Sequence, residues 1–213
     1  MESRIIQIDP AEVEPEKLGL MARVVSRGGV MAYPTETFYG LGAHSLLPEA
    51  LRRIFSMKKR PAGRALPVIV SDMDMARSII QSSSPLFEEL ASLCWPGPLT
   101  LILRAAPHLP EELVGPERTI GIRLPDVPWL RHLVRRVGAP LTTTSANISG
   151  KREIASPRRV VQLFSGRVDL IVDGGRTPGR LPSTVLDLTS GKARLVRQGA
   201  FPLAKLRKYL EML

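Results

Sequence analysis

Four polar segments hold most of the groups in this sequence that could do chemistry. They are Pro34-Thr35-Glu36-Thr37-Phe38-Tyr39-Gly40-Leu41-Gly42, Thr142-Thr143-Thr144-Ser145-Ala146-Asn147-Ile148-Ser149-Gly150, Asp173 to Ser183, and Arg197-Gln198-Gly199. Each is rich in Gly, Pro, Ser or Thr and follows a segment patterned as a strand. Loops of this kind offer hydroxyls and backbone N–H groups to anions, and glycine allows close approach. In open α/β sheets, ligands settle in crevices at the carboxyl ends of strands. Ordinary turn chemistry uses the same residue types, so one loop alone would decide nothing. A cationic element, Lys58-Lys59-Arg60-Pro61, stands with Arg64 four residues beyond Arg60. Its planar guanidinium and mobile ammonium suit polyphosphate oxygens. The same cations at a helix C-terminus would also favour the macrodipole.

Other apparent signals fail on inspection. Ser149-Gly150-Lys151-Arg152 lacks the leading glycine and the final Ser/Thr of a phosphate-binding loop. His44, His108 and His132 are scattered and there is one cysteine, so no transition-metal site is expected. Ser145 sits in no G-x-S-x-G elbow and has no histidine spaced to serve it, which argues against a covalent serine hydrolase. Cys94, beside Trp95 in an apolar stretch, reads as a small buried hydrophobe. No convincing catalytic triad is therefore expected among these residues.

The elements that must position these loops follow from hydrophobic spacing. Strands are predicted over Ile5–Ile8, Val30–Tyr33, Pro67–Val70, Leu99–Leu103, Thr119–Arg123, Pro140–Thr143, Leu170–Val172, Thr184–Leu188 and Ala193–Val196. Helices are predicted around Leu18–Val25, from Pro48 through Phe55, and over Met73–Ile80, Pro85–Leu93, Val127–Val137, Pro157–Phe164 and Pro202–Met212. Strands alternating with helices predict an α/β fold with a twisted mixed sheet flanked by helices. No repeat or composition break divides the chain, so residues 1–213 are expected to form a single domain.

Composition bounds the partners. Of 213 residues, 30 are Lys or Arg and 20 are Asp or Glu, a net charge of +10 that favours anionic partners. Residues 151–213 carry 13 basic against 5 acidic residues, so the excess builds toward the C-terminus without forming a basic tail. No apolar run approaches the roughly 18 residues of a membrane span, and no membrane association is expected. Met1-Glu2-Ser3-Arg4 has neither the basic nor the apolar region of a secretory signal. One cysteine cannot form an internal disulfide, which fits a reducing cytoplasm.

The motifs together resemble a known family. Tyr33-Pro34-Thr35-Glu36-Thr37-Phe38-Tyr39-Gly40-Leu41-Gly42-Ala43, Lys58-Lys59-Arg60-Pro61, Trp95-Pro96-Gly97-Pro98-Leu99-Thr100, Ile122-Arg123-Leu124-Pro125, Thr144-Ser145-Ala146-Asn147, Pro182-Ser183-Thr184-Val185 and Arg197-Gln198-Gly199 occur in the order found in the YrdC/TsaC family, the threonylcarbamoyl-AMP synthases. The resemblance implies a YrdC-like fold and a reaction of L-threonine, bicarbonate and ATP, with Mg²⁺, that yields threonylcarbamoyl-AMP and pyrophosphate for tRNA modification. By the same resemblance Lys58, Arg60 and Arg197 would hold the triphosphate, and Ser145 and Asn147 would hydrogen-bond the nucleotide. Thr35, Arg123, Thr143 and Ser183 would define the threonine side, with Arg123 meeting its carboxylate. Arg64 stands where relatives often carry Lys or Asn before Pro-Leu, and could still reach phosphate. Pro67-Val68-Ile69-Val70 lacks the histidine that some members place there. The length resembles that of the short form without an added C-terminal domain. tRNA or double-stranded RNA and other threonylcarbamoylation proteins are the implied partners. Two alternatives stay open: a non-catalytic module binding double-stranded RNA, and a carbamoyltransferase-related relative, for which the cysteines and length are wanting.

Overall fold

The computed structural model describes residues 2–61 and 63–210. In chain order the strands are β1 (Arg4–Gln7), β2 (Met31–Pro34), β3 (Tyr39–Gly42), β4 (Val68–Ile69), β5 (Leu99–Arg104), β6 (Thr119–Arg123), β7 (Leu141–Thr142), β8 (Thr144–Ser145), β9 (Leu170–Asp173), β10 (Thr184–Asp187) and β11 (Arg194–Arg197). The helices are α1 (Pro15–Ser26), α2 (Pro48–Lys58), α3 (Met73–Ser78), α4 (Pro85–Cys94), α5 (Pro128–Val137) and α6 (Pro157–Phe164). Five of these helices open on a proline, whose fixed φ and missing N–H suit the first turn. For α3 the Asp72 carboxylate instead accepts from the Met75 amide at 2.9 Å.

The α/β class and the mixed pairing are as expected, and the strands are shared between two sheets. One sheet runs β1-β9-β2-β3-β8 and the other β11-β10-β5-β6-β4-β7, each with parallel and antiparallel neighbours. Alternation along the first sheet feeds two cores. Met31, Tyr33, Leu170 and Val172 face α1 and α5 through Met21, Val25, Leu130 and Leu133. Ala32, Leu41 and Ile171 face the larger core with Leu51, Ile54 and Phe164 and with Val68, Leu101 and Ile122 of the second sheet.

The sheets are spliced where residues 43–45 run against 140–142, and Thr142 makes the side-chain bonds of that junction. Thr142, fully buried, accepts from the Ala43 amide at 2.9 Å and donates to the Leu41 carbonyl at 3.1 Å through Oγ1. Its own amide donates to the Ala43 carbonyl at 3.0 Å. The chain thus leaves the second sheet at Thr142 and enters the first at Thr144, with Thr143 between them.

Two expectations are corrected. Tyr39–Gly42 is a strand, although its glycines read as loop; the cause is packing, since a Cβ on Gly42 would lie 2.6 Å from the Tyr33 ring. The predicted C-terminal helix is not α-helical over residues 202–210: Leu203–Lys205 forms a 3₁₀ turn, and Leu210 pairs with Ala193 in a parallel bridge that engages the backbone a helix would use. Its last positions, 211–212, lie outside the described residues. No helix among the described residues is long and apolar enough to cross a membrane.

Candidate active site

The polar loops meet where the two sheets meet. The β2–β3 hairpin closes over Thr35, whose hydroxyl donates to the Phe38 carbonyl at 2.7 Å and accepts from the Thr37 amide at 3.1 Å. This turn is pinned from outside, because the Thr37 carbonyl accepts from the Gly179 amide at 2.9 Å. The Tyr39 amide donates to the Ile154 carbonyl at 2.9 Å and the Tyr39 hydroxyl donates to the Gly175 carbonyl at 2.7 Å. The Ala146 amide donates to the Tyr39 carbonyl at 2.8 Å, so three of the four polar segments are interlocked.

The fourth is fixed by Thr184 at the start of β10. Its hydroxyl accepts from the amides of Gly199 and Phe201 at 3.0 and 3.1 Å. A Cβ on Gly199 would fall 2.2 Å from the Pro182 carbonyl oxygen, so only glycine fits. The neighbouring Arg197 then reaches back, donating to the Ser183 carbonyl at 2.9 Å and to its hydroxyl at 3.2 Å. The Ser183 hydroxyl also lies 2.9 Å from that of Thr100.

These segments enclose a cleft of about 320 Å³, lined by Thr35, Arg60, Arg123, Thr143, Ser145, Ser183 and Arg197 among others. Seven of the ten residues singled out in the sequence thus share one cavity. Arg123 is the most deeply placed, 4% exposed at the end of β6. Its guanidinium faces a Glu36 carboxylate oxygen at 3.3 Å and the Thr143 hydroxyl at 3.5 Å. Neither Glu36 oxygen nor Arg123 Nε has an aligned hydrogen-bond partner among the described residues, so donor capacity is left over. Arg60 donates to the Ala65 carbonyl at 2.8 Å, and its Nε is likewise without a partner among the described residues. Burial first, and then the charge of Arg64, hold the Arg60 guanidinium below its ordinary pKa.

The other three expected residues do not line the cleft. Lys58, the last residue of α2, is 1% exposed; its ammonium donates to the Ser145 carbonyl at 2.5 Å and to the Asn147 carbonyl and side-chain oxygen, both at 2.8 Å. The Asn147 side-chain oxygen also accepts from the Ser145 hydroxyl at 2.7 Å. Lys58 and Asn147 therefore set the conformation of the segment that presents Ser145. Burial, then the like charge of Arg60, lowers the Lys58 pKa to about 8. Arg64 is exposed and does not line the cleft.

Several lining or supporting groups had no role assigned from sequence. Glu36 and Thr100 lie inside quoted motifs, so their spacing flagged them without showing what they touch. Glu153, the one carboxylate among the cleft's lining residues, lies in no motif. Three guanidiniums against that one carboxylate, with hydroxyls from four segments, make the cleft a receptor for an anion with a polar, hydrogen-bonding tail.

Known proteins resemble this chain in sequence and fold. The family model for Sua5, YciO and YrdC, described as telomere recombination, matches residues 23–199. A threonylcarbamoyl-AMP synthase of Pyrococcus abyssi is 35% identical over 198 residues, covering 93% of this chain and 58% of the relative. A Bacillus subtilis protein of the same name is 34% identical and is covered over 56% of its length, so this chain spans a little over half of these curated relatives. The crystal structure of P. abyssi Sua5 complexed with L-threonine superposes with a TM-score of 0.92 at 35% identity, over 97% of this chain and 61% of that one. Escherichia coli YciO superposes at 0.88 and 28% identity, over 95% of this chain and 98% of its own. The chain belongs to the Sua5/YciO/YrdC family.

Proposed function

We propose that this protein is a threonylcarbamoyl-AMP synthase, joining L-threonine, bicarbonate and ATP. The observation that carries the reading is the convergence of Thr35, Arg60, Arg123, Thr143, Ser145, Ser183 and Arg197, far apart in sequence, on one cleft. The names of the relatives and the threonine complex of a family member support the same substrates.

Threonine amine and bicarbonate give an N-carboxylate with loss of water. One of its oxygens bonds to the α-phosphorus of ATP, the bond from that phosphorus to the bridging oxygen breaks, and the electron pair leaves on pyrophosphate. No nucleophile from the chain enters this sequence. Its residues would act by holding the reactants in line and by neutralising charge. Arg123, with its spare donors beside Thr143, suits the threonine carboxylate, and the Thr35 and Ser183 hydroxyls complete that side. Arg60 and Arg197 would face the phosphates, with Ser145 oriented by Lys58 and Asn147, and Arg64 adding positive potential from outside the wall.

Among the described residues there is no cluster of three His, Cys, Asp or Glu side chains able to hold a metal ion. That fits Mg²⁺ arriving on the ATP phosphates with few protein ligands, and Glu153 is the residue that would hold it. Bound there, it would neutralise the triphosphate. The product would pass, in the cytoplasm, to the proteins that modify tRNA. The test is purified protein with threonine, bicarbonate, Mg²⁺ and ATP: pyrophosphate and a threonylcarbamoyl adenylate, identified by mass spectrometry, are expected. Release that is absent, or indifferent to threonine, refutes the reading.

A further inference from the structure

Helix α1 carries its charges at opposite ends. Asp9, Glu12, Glu14 and Glu16 lead into it and Arg23 and Arg27 close it, all of them exposed. Its buried side, with Met21, Ala22 and Val25, packs on the first sheet and on α5. At 3.6 residues per turn, Glu16, Leu20, Arg23 and Arg27 fall on one outward stripe, with half-buried Leu20 near its middle.

Arg136 of α5 meets this stripe from the side. A Cβ on Gly19 would lie 3.4 Å from an Arg23 guanidinium nitrogen and 3.5 Å from one of Arg136, so both cations lie over the same bare backbone. Neither makes an ion pair or side-chain hydrogen bond with any described residue, and two neighbouring guanidiniums without an anion repel each other. Glu16 is without such a partner too, whereas Glu14 is taken by Lys17 at 2.7 Å. Glu16 and Arg23 are seven residues apart, beyond the three- or four-residue spacing at which helix side chains pair.

A twofold axis through Leu20 brings them together. The helical rise sets Glu16 about 6 Å to one side of Leu20 and Arg23 about 4.5 Å to the other. In two antiparallel copies of α1, each Glu16 then stands level with Arg23 of the other copy and beside its Arg136, while Leu20 meets Leu20. A nucleic acid would match only the basic end and would be repelled by Asp9, Glu12 and Glu16. A second copy matches both ends, as a self-complementary face must. We propose that the α1–α5 face is the interface of an isologous dimer, with Glu16 of each chain seated between Arg23 and Arg136 of the other. No residue of α1 or α5 lines the cleft, so both clefts stay open and the proposal does not rest on the synthase reading.

Sedimentation velocity of the full chain over a range of concentrations tests it. A monomer–dimer equilibrium is expected, weakening as salt rises because the pairs are exposed. Each substitution acts twice across a twofold axis, so Arg23→Glu and Glu16→Arg should each weaken dimerisation on the order of tenfold. The two together exchange the charges and should restore most of it. Under mild oxidation Leu20→Cys should cross-link to its own copy and Arg27→Cys, far from the axis, should not; the native Cys94 is buried. A chain that stays monomeric throughout, a dimer indifferent to both single variants, or a double variant no better than either overturns the proposal. So does cross-linking of Arg27→Cys as strong as that of Leu20→Cys. Duplex RNA bound by a monomeric chain and released by Arg23→Glu would assign the face to nucleic acid instead.

Discussion

At the scale of the residue, the pair Arg123–Glu36 shapes the part of the cleft proposed for threonine. Both side chains are largely buried, 5% and 17% exposed, and each is the other's only charged contact within 4 Å among the described residues. Removing the guanidinium alone leaves a carboxylate buried without a partner, a change that costs about 3–5 kcal/mol. Arg123→Met should therefore lower stability by that order, and Arg123→Met with Glu36→Gln should recover most of it. Neither variant should recover threonine binding, expected to fall on the order of 10- to 100-fold for a lost charge-assisted bond. Denaturant unfolding and threonine calorimetry on the same variants separate the two effects, and full threonine affinity in the double variant would remove Arg123 from the site. Lys58 adds a pH dependence. With its pKa lowered to about 8, chiefly by burial, it is a cation below that pH and increasingly neutral above it. Glu153 and Arg60 are the charges that act on it, the first favouring and the second opposing its protonation. A bound phosphate chain favours the ammonium, so ATP binding near pH 8 should take up protons, and binding near pH 6 should take up none through Lys58. Calorimetry in two buffers of different ionisation enthalpy measures this; no uptake at pH 8 would separate Lys58 from the phosphates.

At the scale of the element, what was legible in the sequence was whatever is locally encoded. β6 and α6 fall on the predicted spans because apolar periodicity and an opening proline are local signals. β3 was not legible, because glycine is poor in strands unless a neighbour needs the room. Here Tyr33 stands opposite Gly40 across the hairpin, and its ring lies over Gly40 and Gly42. Gly199 makes the same point for the site: its need comes from the Pro182 carbonyl, distant in sequence and adjacent in space. The motifs thus located the cleft's contents, while the pairings that orient them, Glu36 with Arg123 and Lys58 with Ser145 and Asn147, exist only once the sheets have closed.

At the scale of the whole molecule, the net charge of +10 now has a partial location. Arg60, Arg123 and Arg197 turn to one cleft, and Lys151, Arg152, Arg159 and Arg176 to a second cavity beside it. The first cleft draws its lining from both sheets, and the junction between them includes Thr142. Thr142→Val keeps the shape and removes the hydroxyl, leaving the Ala43 amide and Leu41 carbonyl without their side-chain partner. An unsatisfied buried group costs about 1–3 kcal/mol, so the variant should lose stability of that order. The more telling quantity is the denaturant slope, which scales with the surface exposed in one transition. If the splice makes the two sheets unfold as one body, the midpoint of Thr142→Val falls and the slope stays the same. A lower slope, or two separate transitions, would mean that the sheets have come apart as units. The cleft would then open before the chain unfolds, and substrate affinity would be lost at denaturant concentrations that leave the cores folded.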